Sequence, residues 1–254
     1  MRDNGDRGGL ENAVIEFEQV DKAFNGRRVL DKVSFSVSRG ETLCILGRSG
    51  TGKSVTLKLM IGLLKADAGK VLVEGANMAT LDEDGLVKVR RQMGFLFQSA
   101  ALFDSFSLNQ NLALPLQRLD RTKSPDEIKR AVAETLRQVG LDNDGEKMPA
   151  ALSGGMQKRA GLARALILKP EILLVDEPSS GLDRITAGEI DDLFMKVKTE
   201  RHTTIVMVTH DIHGARKIAD KFAVLDEGRL LAFGTPEALE GKHDNRLQQF
   251  ISEC

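Results

Sequence analysis

Gly47-Arg48-Ser49-Gly50-Thr51-Gly52-Lys53-Ser54 stands between an apolar run, Leu43 to Leu46, and a segment in which Leu57, Met60, Ile61 and Leu64 recur at helical spacing. A buried strand, a glycine-rich turn and a helix, in that order, are what a phosphate-binding loop requires. Glycines let consecutive backbone N–H groups curl around a phosphate, Lys53 reaches the outer phosphates, and the Ser54 hydroxyl is an oxygen ligand suited to Mg²⁺. The following helix adds the positive end of its dipole. A glycine-rich turn can arise by chance, but seldom with the strand and the helix both in place. Gly47 to Val55 is therefore the candidate binding stretch for a nucleoside triphosphate, and it predicts an α/β fold.

Two further apolar runs, Ile172 to Val175 and Ile205 to Val208, are uninterrupted, as expected of strands buried on both faces. Each is followed by a turn and a helix-like segment, which is the rhythm of a parallel sheet with helical crossovers. The first run ends in Asp176-Glu177. A buried strand delivers its last residues to the carboxyl edge of the sheet, where ligands bind in such folds. Asp176 would hold Mg²⁺ there, and Glu177 would polarise an attacking water. An acid after an apolar run is common, and the phosphate loop upstream is what gives this one a meaning. Near the N-terminus the pattern changes: Ile15-Glu16-Phe17-Glu18 alternates, as do Val33, Phe35 and Val37 with Ser34, Ser36 and Ser38. That is the period of an antiparallel layer with one wet face.

Between Phe103 and Ala151 the pattern is helical. Ser124-Pro125-Asp126-Glu127 is a capping box with proline at the first helical position. Ile128, Ala131, Val132, Thr135, Leu136 and Val139 then share a face, and Gly140 ends it. This predicts a helical lobe (99–151) inserted into a catalytic core (12–98 and 152–240). Residues 1–11 form an expected flexible start and 241–254 a C-terminal extension. Asp226-Glu227-Gly228-Arg229 predicts a hairpin turn, and Thr235-Pro236-Glu237 a last short helix. Leu152-Ser153-Gly154-Gly155-Met156 opens a helix expected to reach Leu168 and to be stopped by Pro170, with Ser153 as its N-cap. It is a second helix start suited to an anion. A chain rarely needs two for one phosphate group, but a dimer does.

Taken together, these motifs strongly resemble the nucleotide-binding subunits of ABC transporters, a P-loop NTPase family, from about Val14 to Gly234 with the landmarks in order. The resemblance implies that Phe24 stacks on adenine and that Gln98 senses Mg²⁺ and the attacking water. It implies that Ser153, Gly154 and Gly155 bind the γ-phosphate of ATP held by an opposite subunit. Asp183, in Ser180-Gly181-Leu182-Asp183, would lie in the loop crossing the dimer interface, and His210 would contact the γ-phosphate. His202, His213 and His243 match no motif and are expected to be structural. Met156 departs from the commoner glutamine of the family's signature, which puts the local interface geometry in question rather than the chemistry.

A narrower resemblance, to the Mla/Mce-type ATPases of phospholipid or other lipid transport, rests on Gly47 to Gly62 with its Lys53 to Lys58, on Phe97 to Ser105 and on Ser153 to Met156. It implies a membrane permease, a substrate-binding protein with an Mce domain and, in some relatives, a small STAS-domain regulator. The chain would then work at the cytoplasmic face of the inner membrane. The rival within the class is an ATPase for an amino-acid or other polar-solute importer. The rival outside it is a non-transport ABC protein acting on nucleic acid or ribosomes, which would carry a second cassette or a long basic or coiled-coil insertion. This chain of 254 residues, with net charge −1 and no basic block, shows neither, and no nucleic-acid partner is expected. Its cysteines, Cys44 and Cys254, form no metal or disulfide pattern, and no uncharged stretch nears the roughly 18 residues that span a bilayer. After Gln98 the chain is unusually apolar for a loop (Ala100, Ala101, Leu102, Phe103, Phe106, Leu108). The resemblance implies a permease-docking groove there, with Phe103 as its outward-facing member.

Overall fold

The computed structural model describes residues 12–120, 122–241 and 247. The expectations for the N-terminal stretch 1–11 and for most of the C-terminal extension, His243 and Cys254 among them, lie outside these residues. Along the chain the elements are β1 (Ala13–Phe24), β2 (Arg27–Ser38), β3 (Thr42–Gly47), α1 (Lys53–Met60), β4 (Ala68–Val73), β5 (Ala76–Asn77), α2 (Glu83–Arg91) and β6 (Met93–Leu96). Next come α3 (Leu108–Leu119), α4 (Pro125–Gln138), a 3-10 turn at Pro149–Ala151 and α5 (Gly154–Leu166). The remainder is β7 (Ile172–Asp176), α6 (Arg184–Arg201), β8 (Thr204–Thr209), α7 (Ile212–Ile218), β9 (Lys221–Asp226), β10 (Arg229–Gly234) and α8 (Pro236–Glu240).

The central sheet runs β10-β9-β3-β8-β7-β6 and is parallel except for the β9–β10 hairpin. Every residue of β3, β7 and β8 is buried. The two faces of this sheet feed different cores, which is why its strands are apolar without interruption. Leu43, Ile45, Leu174, Val206 and Val208 pack with α1 and with the inner face of the second sheet. Cys44, Leu46, Leu173, Val175, Ile205 and Met207 pack with residues of α5, α6 and α7 on the other side.

The second sheet, β2-β1-β4-β5, is antiparallel. Its alternation puts Ile15, Phe17, Val33, Phe35 and Val37 inside, with Phe17 stacked on Phe35 at 4.5 Å between ring centres. The helices α3, α4 and α5 share a third apolar cluster built on Leu108, Leu112, Leu116, Val132, Leu136, Ala160 and Ala163. Both capping boxes, at Ser107 and Ser124, are formed.

Two helix ends differ from the sequence reading. α1 stops at Met60: Ile61 is its C-cap, Gly62 turns left-handed (φ 69°), and the N–H groups of Leu63 and Leu64 both return to the Lys58 carbonyl. Leu64 still packs against the core, so its apolar spacing was not a sign of helix. α5 ends at Leu166, and Lys169 takes a left-handed conformation (φ 53°) before Pro170. The turn at Glu227-Gly228 has positive φ at both residues (46° and 81°), the geometry of a tight hairpin between β9 and β10.

Candidate functional site

β3 delivers Gly47 to the carboxyl edge of the parallel sheet, and α1 begins directly after Gly52, whose φ is 98°. Two of the loop glycines are obligatory for reasons the geometry makes explicit. A Cβ on Gly47 would meet Thr51 Oγ1 at 2.5 Å and the Leu225 carbonyl oxygen at 2.7 Å. One on Gly52 would meet the Val29 carbonyl oxygen and Leu30 Cδ2, both at 2.8 Å. The turn is closed by the Thr51 hydroxyl, which donates to the Arg48 carbonyl (2.9 Å). Lys53 is buried, and its ammonium lies inside the loop, donating to the carbonyls of Gly47 (2.7 Å) and Arg48 (3.2 Å).

The acidic pair comes from the end of β7. Ser54 Oγ donates to Asp176 Oδ1 at 2.9 Å, tying the first turn of α1 to the neighbouring loop. Burial pushes the Asp176 carboxyl above its ordinary range, the Ser54 hydrogen bond opposes this, and nearby Glu177 adds to it. Glu177 itself is left-handed (φ 47°), with its N–H donated to the Val208 carbonyl. That turn carries its side chain to the Lys53 ammonium (Oε1 at 3.7 Å) and to His210, whose Nδ1 lies 2.7 Å from Oε2. The backbone N–H of His210 also points at Oε2, at 3.3 Å. Gln98, just past β6, donates through Nε2 to the Ser180 hydroxyl (3.4 Å).

These groups share one cavity of about 720 Å³, lined by Phe24, Val29, Gly47, Arg48, Ser49, Gly50, Gly52, Lys53, Ser54, Val55, Gln98, Glu177 and His210. Asp176 joins it through Ser54. Phe24, exposed by 41%, and Val29 give the cavity an apolar wall, and Lys22 lies over the Phe24 ring at 5.3 Å. The donor set fits a hard divalent cation: a hydroxyl and a carboxylate in contact at the mouth of a cationic loop, with an amide oxygen from Gln98 in the same cavity. Chemically, the arrangement can cradle a polyphosphate on backbone N–H groups and one ammonium, and it sets one carboxylate beside the place where the outermost phosphate would end.

Ser153, Gly154, Gly155 and Asp183 are not part of that cavity. Ser153 caps α5, its Oγ accepting the Met156 N–H at 3.3 Å, and both Ser153 and Gly154 are exposed. Asp183 caps α6 and accepts from the N–H groups of Ile185 and Thr186 and from the Thr186 hydroxyl (3.0, 3.0 and 2.6 Å). The hydrogen bonds from Thr186 hold its carboxyl below the usual range. The two helix starts touch: a Cβ on Gly155 would lie 2.5 Å from Thr186 Cγ2, which accounts for glycine there. Met156 is half-buried and packs against the α3–α4–α5 cluster, so its side chain serves the lobe and leaves Ser153 and Gly154 exposed.

Sequence reading missed three polar side chains, the buried Lys158 and Asn111 and the half-buried Arg164, that hold the segment after Gln98. Lys158 donates to the carbonyls of Gln98 (2.6 Å) and Glu177 (3.0 Å). Arg164 donates to the carbonyls of Ala101 and Ala100, two consecutive left-handed residues (φ 49° and 60°). Asn111, fully buried, accepts the Phe103 N–H and donates to the carbonyls of Phe103, Phe106 and Ser107. A signal existed for one of them: Lys158 shares a helical stripe with Leu162 and Ala165, an odd place for a charge. The apolar stretch itself divides. Ala100 and Leu108 are buried, whereas Phe103 is 49% exposed, with Arg164 lying over its ring at 5.8 Å.

The family model described as ABC transporter matches residues 30–180. A probable ribonucleotide transport ATP-binding protein, mkl of Mycobacterium leprae (strain TN), is 40% identical over 94% of this chain and 69% of its own length. The protein of the same name in Mycobacterium tuberculosis (strain ATCC 25618 / H37Rv) is 40% identical over 94% of this chain but only 66% of its own. The methionine import ATP-binding protein MetN of Brucella abortus (strain 2308) is 41% identical over 87% of this chain and 59% of its own. Among solved structures, the ATP-binding cassette MJ0796, in a dimeric post-hydrolysis state bound to ADP and Pi, superposes with a TM-score of 0.81 at 32% identity. It covers 87% of this chain, and 98% of that chain is matched. The cbiO1 protein of Clostridium perfringens, part of the ABC transporter complex cbiONQ, superposes at 0.82 with 28% identity, over 95% and 96% of the two chains.

Proposed function

We propose, from the premise that this chain belongs to the ABC transporter family and is an ATP-binding subunit that hydrolyses MgATP, that it works as one half of a head-to-tail dimer. The observation that carries this reading is the separation of the two anion-seeking helix starts. The loop before α1 shares a cavity with the catalytic candidates, whereas Ser153 to Gly155 lie outside it, with Ser153 and Gly154 exposed. A second copy, turned about a two-fold axis, brings its own Ser153 to this copy's phosphate loop. The solved relative MJ0796 is described as dimeric.

Within one site the residues divide the work. Backbone N–H groups from Arg48 to Ser54 and the Lys53 ammonium hold the phosphates, and Phe24 stacks on the base. Ser54 and Asp176, with Gln98, would hold the magnesium ion. Bound there, the ion neutralises charge on the phosphate oxygens. Glu177 orients the attacking water and takes its proton at a carboxylate oxygen. In this structure Oε2 of that carboxylate is occupied by His210. On this reading the imidazole turns from Oε2 toward the outermost phosphate, leaving that oxygen shared between the water and the His210 backbone N–H. Asp183 and Gly155, in contact through Thr186, link the loop expected to cross the interface to the helix that serves the partner's ATP.

Among the described residues no helix is long and apolar enough to cross a membrane. We infer from the family that coupling to transport runs through a permease, and the half-exposed Phe103 on a loop anchored at Gln98 suits its docking. This would place the subunit at the cytoplasmic face of the inner membrane. For cargo, the local strings Lys53 to Lys58, Phe97 to Ser105 and Ser153 to Met156 favour phospholipid, with an Mce-domain partner and a STAS-domain regulator. The names of the relatives favour a second reading, import of a ribonucleotide or of methionine. The test is isolation of the native complex from membranes and its reconstitution in proteoliposomes. Stimulation of MgATP hydrolysis by phospholipid-loaded Mce-domain protein supports the first reading. Stimulation by methionine or a ribonucleotide, with no Mce-domain protein recovered, supports the second.

A further inference from the structure

Lys158 is 7% exposed and stands in the apolar stripe of α5, the helix that begins at Ser153. Burial draws its ammonium below the usual lysine range, and the carboxylates of Glu177 and Asp176 draw it back. Its hydrogen bonds go to two backbone oxygens, the carbonyl of Gln98 at 2.6 Å and that of Glu177 at 3.0 Å. These residues follow neighbouring parallel strands, β6 and β7, whose ladder ends at Leu96 opposite Val175. Beyond that pair the ladder no longer sets the distance between the two loops. The lysine spans the gap.

α5 is placed tightly enough to act as a fixed mount. A Cβ on Gly161 would meet Leu96 Cδ1 and Ala100 Cβ, both at 2.9 Å, and one on Gly94 of β6 would meet the Ala165 carbonyl oxygen at 2.4 Å. Six residues after Lys158 on the same helix, Arg164 holds the carbonyls of the left-handed residues Ala100 and Ala101. The loop carrying Gln98 is thus fastened twice to one helix, and the loop carrying Glu177 once.

We propose that Lys158 is a positioning residue for hydrolysis: anchored on α5, its ammonium fixes the Gln98 and Glu177 backbones at one separation so that both side chains address the same water. Because α5 starts at Ser153, the same lysine links the helix that serves the partner's nucleotide to the pair that acts on this chain's own. The inference rests on the roles assigned above to Gln98 and Glu177.

The experiment compares the wild-type chain with Lys158→Met, which keeps the stem and removes the charge, and Lys158→Arg, which keeps a cationic donor. MgATP hydrolysis is measured against ATP concentration, and MgATP affinity and thermal midpoint are measured alongside. A positioning role lowers kcat of Lys158→Met at least about tenfold while KM and affinity stay within about twofold, and Lys158→Arg recovers most of the loss. A Lys158→Met variant with unchanged kcat overturns the proposal. So does one whose affinity falls as far as its kcat, or a Lys158→Arg variant no better than the methionine. Should Lys158→Met fail to fold, Lys158→Gln decides by the same criteria. A wild-type chain without MgATP hydrolysis sinks the reading of the site itself; an active wild type beside an unaffected Lys158→Met sinks only this inference.

Discussion

Two helices of this chain begin at glycine-rich turns, and they are built differently. α1 starts from the left-handed Gly52 with no side-chain cap, and its first two residues are tied inward, Lys53 to the loop carbonyls and Ser54 to Asp176. α5 starts from an extended Ser153 that caps its own helix, with no charged group in its first turn and with Ser153 and Gly154 exposed. One start is surrounded by the chemistry it needs; the other offers backbone N–H groups, a hydroxyl and a helix dipole to whatever arrives from outside. A helix start so bare gains little inside its own chain. On the proposed reading, half of each site is stored outside the cavity that holds its own catalytic groups.

The largest expected effect tests the complete half. Glu177→Gln keeps shape and removes the base, so turnover should fall by roughly 10²-fold or more while MgATP binding persists and an ATP-bound dimer accumulates. Rate measurements paired with sedimentation or size-exclusion analysis in MgATP would show this, and full turnover by the variant would remove Glu177 from its role. The second test breaks the contrast directly. Lys53→Ala spoils the α1 start and Ser153→Arg the α5 start, so each variant alone should be nearly inactive. Mixed in equal amounts, half of the dimers are mixed and each mixed dimer has one intact site of two, so about a quarter of the wild-type activity should return. No recovery on mixing would mean that both helix starts serve the same chain.

Base recognition should matter less. Phe24 and Val29 form the apolar wall against which the base is proposed to stack, and base–aromatic stacking is worth about 1–3 kcal/mol by alanine substitution in nucleic-acid binders. Phe24→Ala should raise KM for ATP by about tenfold with kcat kept, and Phe24→Trp should be neutral. GTP should compete well, since a ring face carries no hydrogen-bond code. A steady-state comparison of ATP and GTP for the three chains settles the point, and a strong ATP preference that survives Phe24→Ala would reveal a base contact elsewhere.

How far the two helix starts could be read from the sequence follows the same division. The α1 start was legible because its function demands a fixed pattern of glycine, lysine and serine between a strand and a helix. The buried strands β3, β7 and β8 were legible because both of their faces are apolar, and the β1–β2 layer because only one is. Helix ends were less so: Leu64 keeps helical spacing beyond a helix that stops at Met60, because a turn can bury a leucine as well as a helix can. The contacts of Lys158, Arg164 and Asn111 were invisible for another reason. They are made to backbone carbonyls, which every residue has, so the partner leaves no mark in the sequence. The left-handed turn of Glu177, which brings it to His210, is hidden for the same reason.

The smallest expected effect concerns the junction between the two regions. Asp191 lies on α6, whose first turn supports Gly155, and its carboxylate abuts α7, the helix that follows His210. A Cβ on Gly214 of α7 would sit 2.8 Å from Asp191 Oδ2 and 2.9 Å from Asp211 Oδ2, so two carboxylates crowd one glycine. Burial pushes the Asp191 carboxyl up to about 6; Asp211 and Asp192 add to this, while Lys217 and His213 oppose it. A carboxyl that titrates higher in the folded chain than in the unfolded one is bound to its proton more tightly when folded. Stability is therefore lost as pH rises from about 4 to about 6 and stays lower above that. Asp191→Asn removes the charge, so it should raise the thermal midpoint at pH 7.5 by a few degrees, about 1 kcal/mol after allowance for solvent screening. That gain should shrink to nothing near pH 4, where the wild-type carboxyl is already neutral in the fold. Thermal melts of the two chains across that range provide the check. A gain that is the same at every pH would mean that the substituted amide packs better, and that the charge of Asp191 is no burden to the fold. A loss at pH 7.5 would mean that the carboxylate is needed to hold α7, and with it His210, in register with the Ser153 side of the molecule.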